Sequence, residues 1–314
     1  MAATMPDYNK LKQQLIELMG GLPERAPLEA QIAERWPRGN HFVEYITYNG
    51  DAGERIPAYL LVPADIDQPR PAIVALHQHA GQFEIGKSEV VGMTGNPDQA
   101  IGKILVEAGY VVLAPDTLAF EQRRGRVQQG AYYERYVAMR ELLYGRTLAA
   151  KYVADVSRAV DYLVSRPEVD ANRLGVVGHS MGGTGTVFAA ALEERFQAAF
   201  SNCGVCTYQA ILRDEIIHNF MLYIPGLLNL CDMGDIIALT APRAFMVSSG
   251  AYDRIFPADG IQEAYRVAQK RYEQLGAADK IDLLLMPCEH QFNHTMHQAC
   301  LRWFARWLDW QYEE

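Results

Sequence analysis

The strongest chemical signal in the sequence is the pentapeptide Gly178-His179-Ser180-Met181-Gly182, which has the pattern G-x-S-x-G. It follows the apolar run RLGVV and precedes the small-residue run GGTGTVFAAAL, so we expect a strand, a sharp turn and a helix around it. The two outer glycines allow the backbone to crowd together while the serine adopts a strained conformation. A glycine-rich turn could show the same pattern by chance, but this context favours Ser180 as a nucleophile.

A serine hydroxyl needs a general base, and after an elbow of this kind the acid and the histidine follow in chain order. Asp253 comes just after the strand-like run RAFMVSSG, and we expect its carboxylate to orient the histidine. Asp259 is the competing acid, but it lies where a helix begins and suits a helix cap. His290 is the first histidine after the run KIDLLLMP and is the expected base, with His294 as the alternative.

An oxyanion formed at the same site needs hydrogen-bond donors. We expect the backbone N–H groups of Met181 and His79, with Gln78 as the next candidate, because these residues follow the nucleophile and the strand PAIVALH. Metal ligation by His77 and His79, or by an H-x-x-x-H pair at His290, is the alternative interpretation. The second pair lacks the acidic general base of the zincin pattern, so no metal and no cofactor is predicted.

Several other side chains carry weaker signals. Arg123, Arg124 and Arg126 follow a strand end and could contact an acidic or phosphorylated substrate, although a solvated basic turn is favoured. Two residues are candidates for substrate binding: Arg124 from this turn, and Gln78 from the loop after the strand PAIVALH. Cys203 and Cys206 form a C-x-x-C motif, but without a thioredoxin-like setting a redox role is not favoured.

Two segments interrupt the regular pattern, residues 78–100 and residues 204–241. Long structured insertions of this kind are typical of lids or pocket walls. In the first, we expect Glu84, Lys87 and Glu89 to form an ion pair that anchors a lid rather than to contact the substrate. In the second, four side chains are expected to wall an apolar acyl or alcohol pocket, or simply to pack the insertion: Tyr208, Phe220, Tyr223 and Leu227. Of these four, Tyr223 is the candidate for substrate contact.

The elements that must position these groups form a regular alternation. A hairpin is expected over 41–48 and 56–63, with Asn49-Gly50 between its strands. Apolar strands then alternate with helices such as 149–166, 260–276 and 297–310, which indicates a doubly wound α/β fold. The further strands are expected at 71–77, 109–116, 173–179, 198–203, 243–250 and 280–287. We predict a mostly parallel eight-stranded sheet flanked by helices. A helical extension (1–40, with a helix at 7–19) precedes the α/β domain (41–314), whose insertion spans about 204–241.

Composition and charge exclude several classes of protein. The 314 residues are 49% hydrophobic with a net charge of −9, which is typical of a globular protein and disfavours nucleic-acid binding. No apolar run is long enough to span a membrane, and no signal-peptide pattern begins the chain. Together with an odd number of cysteines, five, this predicts a cytoplasmic protein with reduced thiols. The oligomeric state is left open.

The motifs GHSMGG, GAYDRIFP and EHQF, with the stretches 76–89, 114–125 and 224–245, resemble the α/β-hydrolase superfamily, and more narrowly its members similar to dienelactone hydrolases and acetyl xylan esterases. The resemblance implies an α/β-hydrolase fold, a triad of Ser180, Asp253 and His290, and an oxyanion hole at Met181 and His79. It implies hydrolysis of small or medium carboxylic esters through an acyl-enzyme, without a cofactor. Dienelactone hydrolases proper use a cysteine nucleophile, so dienelactone itself is not the expected substrate.

Two other functions stay open at this stage. A serine peptidase or amidase of the prolyl-oligopeptidase type uses the same triad order, but such enzymes carry a large N-terminal domain, and only about forty residues precede the first expected strand here. A non-catalytic binding protein on a hydrolase scaffold is the other alternative. Such proteins usually lose a member of the triad, and all three positions are filled in this sequence.

Overall fold

A nine-stranded sheet forms the centre of the computed structural model, which describes residues 6–51 and 53–311. Strands β1, β2, β3 and β5 pair antiparallel, and β5, β4, β6, β7, β8 and β9 pair parallel, in the order β1-β2-β3-β5-β4-β6-β7-β8-β9. The strands are β1 (Gln31–Arg38), β2 (His41–Asn49), β3 (Arg55–Pro63), β4 (Arg70–Leu76), β5 (Val111–Pro115), β6 (Val169–His179), β7 (Phe196–Asn202), β8 (Ala244–Gly250) and β9 (Ile281–Met286).

Helices cover both faces of this sheet. They are α1 (Tyr8–Leu18), α2 (Lys87–Val90), α3 (Ile101–Glu107), α4 (Gly130–Leu143), α5 (Leu148–Val164), α6 (Met181–Leu192), α7 (Tyr208–Arg213), α8 (Met233–Ala238), α9 (Ala258–Gln274) and α10 (His294–Trp307). Along β4, Ala72 and Val74 face the core that contains α5, α6 and α9, while Ile73 and Ala75 face the core that contains α3 and α10. Because both faces are buried, the strand is apolar from Pro71 to Leu76, as expected for a parallel strand.

The expected α/β-hydrolase architecture and its hairpin are confirmed, with Asn49 paired to Arg55 across the turn between β2 and β3. The predicted count of eight strands is wrong. The missed strand is β1, which lies in the segment 1–40 that was expected to be a helical extension and which pairs antiparallel with β2. Its side chains are mostly exposed, because it is an edge strand, so no apolar periodicity marks it in the sequence. Helix α1 is confirmed, and residues 1–5 lie outside the described residues.

The segment 204–241 connects β7 to β8 and contains α7, two short 3₁₀ turns (Phe220–Leu222 and Leu227–Asn229) and α8. Helix α8 begins with a capping box in which Asp232 and Asp235 satisfy each other's backbone N–H groups. That this segment acts as a lid stays a prediction. Within residues 6–51 and 53–311, no helix combines the length and apolarity that a membrane crossing requires.

Candidate active site

Ser180 lies in a strained turn between the end of β6 and the start of α6, with φ 57° and ψ −118°. The glycines on either side are required by close backbone contacts. A Cβ atom at Gly178 would lie 2.3 Å from the backbone of Gly182, and one at Gly182 would lie 2.3 Å from the carbonyl oxygen of Leu76 on β4. The expected elbow is therefore present, and only glycine fits at both flanking positions.

Asp253 and His290 meet beside this turn, although they come from the ends of two different strands, β8 and β9. The Nδ1–H of His290 donates to Asp253 Oδ2 at 2.6 Å. The other carboxylate oxygen, Oδ1, accepts the backbone N–H groups of Ile255 (2.9 Å) and Phe256 (3.2 Å). The Asp253 side chain is fully buried, whereas that of His290 is 25% exposed. The carboxylate thus fixes the imidazole with Nε2 as the ring nitrogen available for proton exchange.

Asn202, at the end of β7, ties the elbow to the histidine loop. Its carbonyl oxygen accepts the backbone N–H of Ser180 at 2.9 Å, and its side-chain Nδ2 donates to the carbonyl oxygen of Gln291 at 2.8 Å. The same amide donates to His179 Nδ1 at 2.8 Å, and the His179 ring packs 4.7 Å from the His290 ring. Burial, reinforced by His290, lowers the pKa of His179 well below its usual range, so this neighbour stays neutral.

The competing acid and base candidates lie in other surroundings. Asp259 is 63% exposed and pairs with Arg213. His294 is exposed at the first residue of α10, and His297 is buried with its Nε2 2.8 Å from the carbonyl oxygen of Asp98. Of the predicted acids and histidines, the structure therefore brings together Asp253 and His290.

The two expected oxyanion donors follow the neighbouring strands β4 and β6. Met181 is the first residue of α6, so its N–H has no partner within the helix, and the helix N-terminus favours negative charge there. His79 follows β4, and its ring is held on both sides: Nδ1 accepts the N–H of Gly81 at 3.0 Å, and Nε2–H donates to Glu134 of α4 at 3.0 Å. The role of both N–H groups in catalysis stays a prediction.

His77 and Gln78 anchor the same loop. His77 is buried, its Nε2 accepts the N–H of Thr117 at 3.1 Å, and its Nδ1–H donates to the carbonyl oxygen of Gln78 at 2.8 Å. Burial lowers the pKa of His77 to about 4, so the ring is neutral and both nitrogens are engaged. The Gln78 side chain donates to Glu89 at 3.0 Å, and its predicted contact with substrate stays a prediction.

The three arginines do not share one environment. Arg123 is buried and donates to the carboxylates of Glu54 (2.5 Å) and Asp155 (2.8 Å), so the expected solvated basic turn is wrong for this residue. Arg124 is 35% exposed and Arg126 is exposed, as a solvated turn requires. A role for Arg124 in substrate binding stays a prediction.

Lys87 forms an ion pair, but not within its own segment. Its ammonium group is fully buried and lies 2.9 Å from Asp116 and 2.6 Å from Glu121. Burial alone would lower the pKa of Lys87, but these two carboxylates outweigh burial and raise it. The expected grouping with Glu84 and Glu89 is therefore wrong, because the partners of Lys87 come from the end of β5 and the turn after it. The ion pairs of Lys87 with Asp116 and Glu121 therefore connect α2 to the loop that follows β5.

Among the described residues, two groups place three potential metal ligands within 4.8 Å of one another: Cys203, Asp253 and His290, and Asp51, Glu54 and Asp155. In the second group, the ammonium of Lys151 already pairs with all three carboxylates. In the first, Asp253 and His290 bond to each other, and burial raises the pKa of the Cys203 thiol to about 12. Burial raises the pKa of Cys206 equally, which disfavours the thiolate that thiol–disulfide chemistry needs.

An apolar pocket of about 350 Å³ lies between the end of α4, α7 and the 3₁₀ turns of the segment 204–241. Tyr208, Tyr223 and Leu227 line it, as one of the two interpretations of that segment expected, whereas Phe220 does not. His218 also lines it, and no pattern in the sequence singled this residue out. Contact of Tyr223 with a substrate stays a prediction.

Three residues of the site were missed by sequence reasoning: Asn202, Glu134 and Phe256. Asn202 lies near the end of the expected strand 198–203, so a polar residue at a strand end was a usable signal. Glu134 belongs to a helix separated from His79 by more than fifty residues, and no motif connects the two.

Comparisons with known proteins identify the fold and the family of the chain. The chain is 29% identical to YtaP of Bacillus subtilis (strain 168), a protein assigned as a hydrolase, over 300 residues that make up 95% of this chain and 98% of that protein. It superposes on a glucuronoyl esterase from Solibacter usitatus with a TM-score of 0.72 and 19% identity, covering 96% of this chain and 91% of the other. Acetyl xylan esterase 1 from Thermoanaerobacterium sp. JW/SL YS485 gives a TM-score of 0.61 and 16% identity, covering 96% and 93%. At these identities the two structures establish a shared fold.

Residues 56–227, more than half of the chain, match the dienelactone hydrolase family. The matched region includes the elbow at Ser180 and the loop of His79, while Asp253 and His290 lie beyond it. The chain belongs to the dienelactone hydrolase family, a family of hydrolases, and has the α/β-hydrolase fold.

Proposed function

We propose that the protein is a serine carboxylesterase in which Ser180 is the nucleophile, His290 the general base and Asp253 the orienting acid. The observation that carries this proposal is the 2.6 Å hydrogen bond between His290 and a fully buried Asp253, next to a serine held in a strained elbow. A histidine oriented by a carboxylate next to a serine is the arrangement that activates a hydroxyl for acyl transfer.

In the first half-reaction, His290 Nε2 accepts the proton of Ser180 Oγ as that oxygen attacks the ester carbonyl carbon. The C=O bond becomes a C–O⁻ bond, and the backbone N–H groups of Met181 and His79 donate hydrogen bonds to it. Protonated His290 then donates its proton to the departing alkoxide, and the C–O bond to the alcohol breaks. Asp253 stabilises the imidazolium throughout.

In the second half-reaction, water takes the place of the alcohol. His290 accepts a proton from this water, whose oxygen attacks the acyl carbon, and the bond to Ser180 breaks as the serine oxygen recovers its proton. The acid is released and the enzyme returns to its starting state. All proton transfers are carried by groups of the chain, so the proposal includes no metal and no organic cofactor.

An ester is favoured over an amide by the comparisons, because the structural neighbours named above are both esterases. Amidase or peptidase activity of the prolyl-oligopeptidase type would use the same three residues, but the comparisons do not favour it. We further propose a reducing, cytoplasm-like compartment, which the five free cysteines support. We propose one α/β domain, which includes the edge strand β1, preceded by an N-terminal extension that contains helix α1.

The test compares the wild type with Ser180→Ala on p-nitrophenyl esters from acetate to decanoate, and on the matching p-nitroanilides. Ser165→Ala, at an exposed position at the end of α5, is the matched control. We expect ester turnover in the wild type and the control, and a loss of roughly 10⁶-fold in kcat in Ser180→Ala. Labelling of Ser180 by a fluorophosphonate gives an independent readout.

Three results would change the assignment. Faster hydrolysis of the anilides than of the esters would favour the amidase alternative. Ester hydrolysis that survives in Ser180→Ala would exclude Ser180 as the nucleophile. A wild type inert to every ester and to the fluorophosphonate would leave a binding protein on a hydrolase scaffold.

A further inference from the structure

The pocket beside the candidate active site has an unusually uniform lining. The residues that line it are apolar or aromatic with the exception of His218 and Asn229, and they include Leu142, Leu212, Tyr223 and Leu228. Among these described residues there is no Asp, Glu, Lys or Arg. Its volume of about 350 Å³ is in the range of small-molecule sites.

A short chain of contacts joins the pocket wall to the catalytic pair. The ring centroids of His218 and Phe256 lie 4.5 Å apart, and the Phe256 ring stacks on the His290 ring with a centroid distance of 5.7 Å. His218 Nε2–H donates to the carbonyl oxygen of Ile255 at 2.9 Å. The backbone N–H groups of Ile255 and Phe256 hold Asp253, so the loop that supports the acid also contacts His218 in the pocket wall.

The one titratable group in the lining that could be positively charged carries no charge near neutral pH. Burial lowers the pKa of His218, with the nearby His290 acting in the same direction, and together they outweigh the hydrogen bond to Ile255. The pocket therefore offers apolar surface and no charged group to a ligand.

The rim of the pocket exposes large apolar side chains. Leu142 is 52% exposed, Leu212 57%, Tyr223 45% and Leu228 43%. Single exposed apolar residues are ordinary on a protein surface, but a cluster of them around one opening marks a binding site. Burying these side chains against an apolar ligand group removes this surface from water, which favours binding.

We infer that this pocket binds the apolar part of the ester, an alkyl or aryl group of medium size. This inference rests on the proposed function and adds to it the chemical class of the substrate. A sugar ring in this pocket would lose the hydrogen bonds of its hydroxyl groups to water and find few partners in the wall. The chain therefore selects esters with at least one apolar substituent of several carbons over acetyl esters of sugars.

Leu142 and Leu143 provide a matched pair for the test. Leu142 lines the pocket, whereas Leu143 is the next residue, is 89% exposed and does not line it. Leu142→Trp should narrow the pocket, and Leu143→Trp should add the same bulk outside it. Neither position is buried, so both variants should fold, which thermal unfolding would check.

Two ester series distinguish the acyl side from the alcohol side. The first keeps p-nitrophenol and varies the acyl group from acetate through butyrate to hexanoate. The second keeps acetate and varies the alcohol from methyl through butyl to hexyl. A fully buried methylene changes kcat/KM by up to about fourfold, so we expect a rise of at least about tenfold along one series in the wild type. Leu142→Trp should remove this rise while leaving the shortest ester within about twofold.

The outcomes separate this inference from the proposed function. A Leu142-dependent rise in the acyl series places the acyl group in the pocket, and one in the alcohol series places the alcohol there; both support the inference. Flat series, or equal effects of Leu142→Trp and Leu143→Trp, would overturn it while turnover of p-nitrophenyl acetate leaves the esterase proposal standing.

Binding keeps the inference testable if no ester is turned over. In the Ser180→Ala variant, calorimetry measures the binding of hexyl acetate and of methyl hexanoate, with and without the tryptophan substitutions. For at least one of these esters, we expect Leu142→Trp to weaken the Kd at least about fivefold and Leu143→Trp to leave it unchanged. For both esters alike, equal affinities in all three proteins, or no binding, would overturn the inference by itself.

Discussion

Replacing Asp253 by asparagine should remove most of the turnover without changing the shape of the site. The two oxygens of Asp253 have different partners. Oδ1 accepts two backbone N–H groups, from Ile255 at 2.9 Å and Phe256 at 3.2 Å, whereas Oδ2 accepts the Nδ1–H of His290 at 2.6 Å. An asparagine must therefore place its carbonyl oxygen at the Oδ1 position, because its NH₂ group there would face two donors.

The NH₂ group of the introduced asparagine would then lie where Oδ2 is now and would donate to His290 Nδ1. A neutral imidazole that accepts at Nδ1 carries its proton on Nε2, so it can no longer take the proton of Ser180. Replacement of a triad acid by asparagine lowers kcat by about 10⁴-fold, which corresponds to about 5.4 kcal/mol of transition-state stabilisation. We expect a loss of that order in Asp253→Asn, with little change in KM.

The assay is steady-state hydrolysis of p-nitrophenyl acetate at neutral pH, with circular dichroism to check folding. The matched control is Asp259→Asn, which removes the carboxylate of the competing acid. That side chain is 63% exposed and pairs with Arg213, and exposed pairs of this kind contribute little, so kcat should stay within about twofold of the wild type. If Asp253→Asn kept more than about a tenth of the wild-type kcat, the assignment of the acid would be refuted.

Two further predictions follow from buried hydrogen bonds. Glu134→Ala should lower kcat about tenfold at unchanged KM, because the ring of His79 loses the acceptor of its Nε2–H. The side chain of the control variant Glu134→Gln still accepts this hydrogen bond, so it should keep most of the activity. Equal losses of kcat in both variants would contradict a positioning role for Glu134. Burial alone would raise the pKa of Glu193, but hydrogen bonds, chiefly from Arg195, outweigh it and lower the pKa from 4.5 to about 2. The folded state therefore gains stability from this carboxylate above its ordinary pKa and loses it as the pH falls towards 2. In urea unfolding, the stability deficit of Glu193→Gln should shrink between about pH 5 and pH 2, and a deficit constant over that range would contradict the prediction.

Much of the fold could be read from the sequence because buried parallel strands have a strong apolar signature. The strands β4 to β9 lie between helices on both faces, so their side chains are largely apolar and they alternate with amphipathic helices. Strand β1 has no buried face, since its residues from Gln31 to Arg38 lie at the edge of the sheet and most are exposed. Hydrophobic periodicity indicates burial rather than strand geometry, so an exposed edge strand shows no such periodicity in its sequence.

The ionic networks could not be predicted for a different reason. Arg123 and Lys87 are long charged side chains in loop-like sequence, where exposure is the ordinary outcome. Both are buried because carboxylates from distant segments converge on them: Glu54 and Asp155 on Arg123, and Asp116 on Lys87. Pairing of this kind depends on tertiary contacts, so no local pattern can indicate it.

The candidate triad could be predicted because strands that follow one another in the chain are also neighbours in the sheet. Strands β6, β7, β8 and β9 are successive parallel neighbours, so their carboxyl ends meet at one edge of the sheet. Strand order therefore places a nucleophile after β6, an acid after β8 and a histidine after β9 at the same edge of the sheet. Asn202, the last residue of β7, binds the backbone of both Ser180 and Gln291. Strand order does not determine the pocket, because α4 and the segment 204–241 lie outside the sheet. The shape of the pocket depends on tertiary packing that only the folded structure reveals. Strand order therefore positions the candidate catalytic residues, whereas the segments between the strands form the pocket that we propose for the substrate.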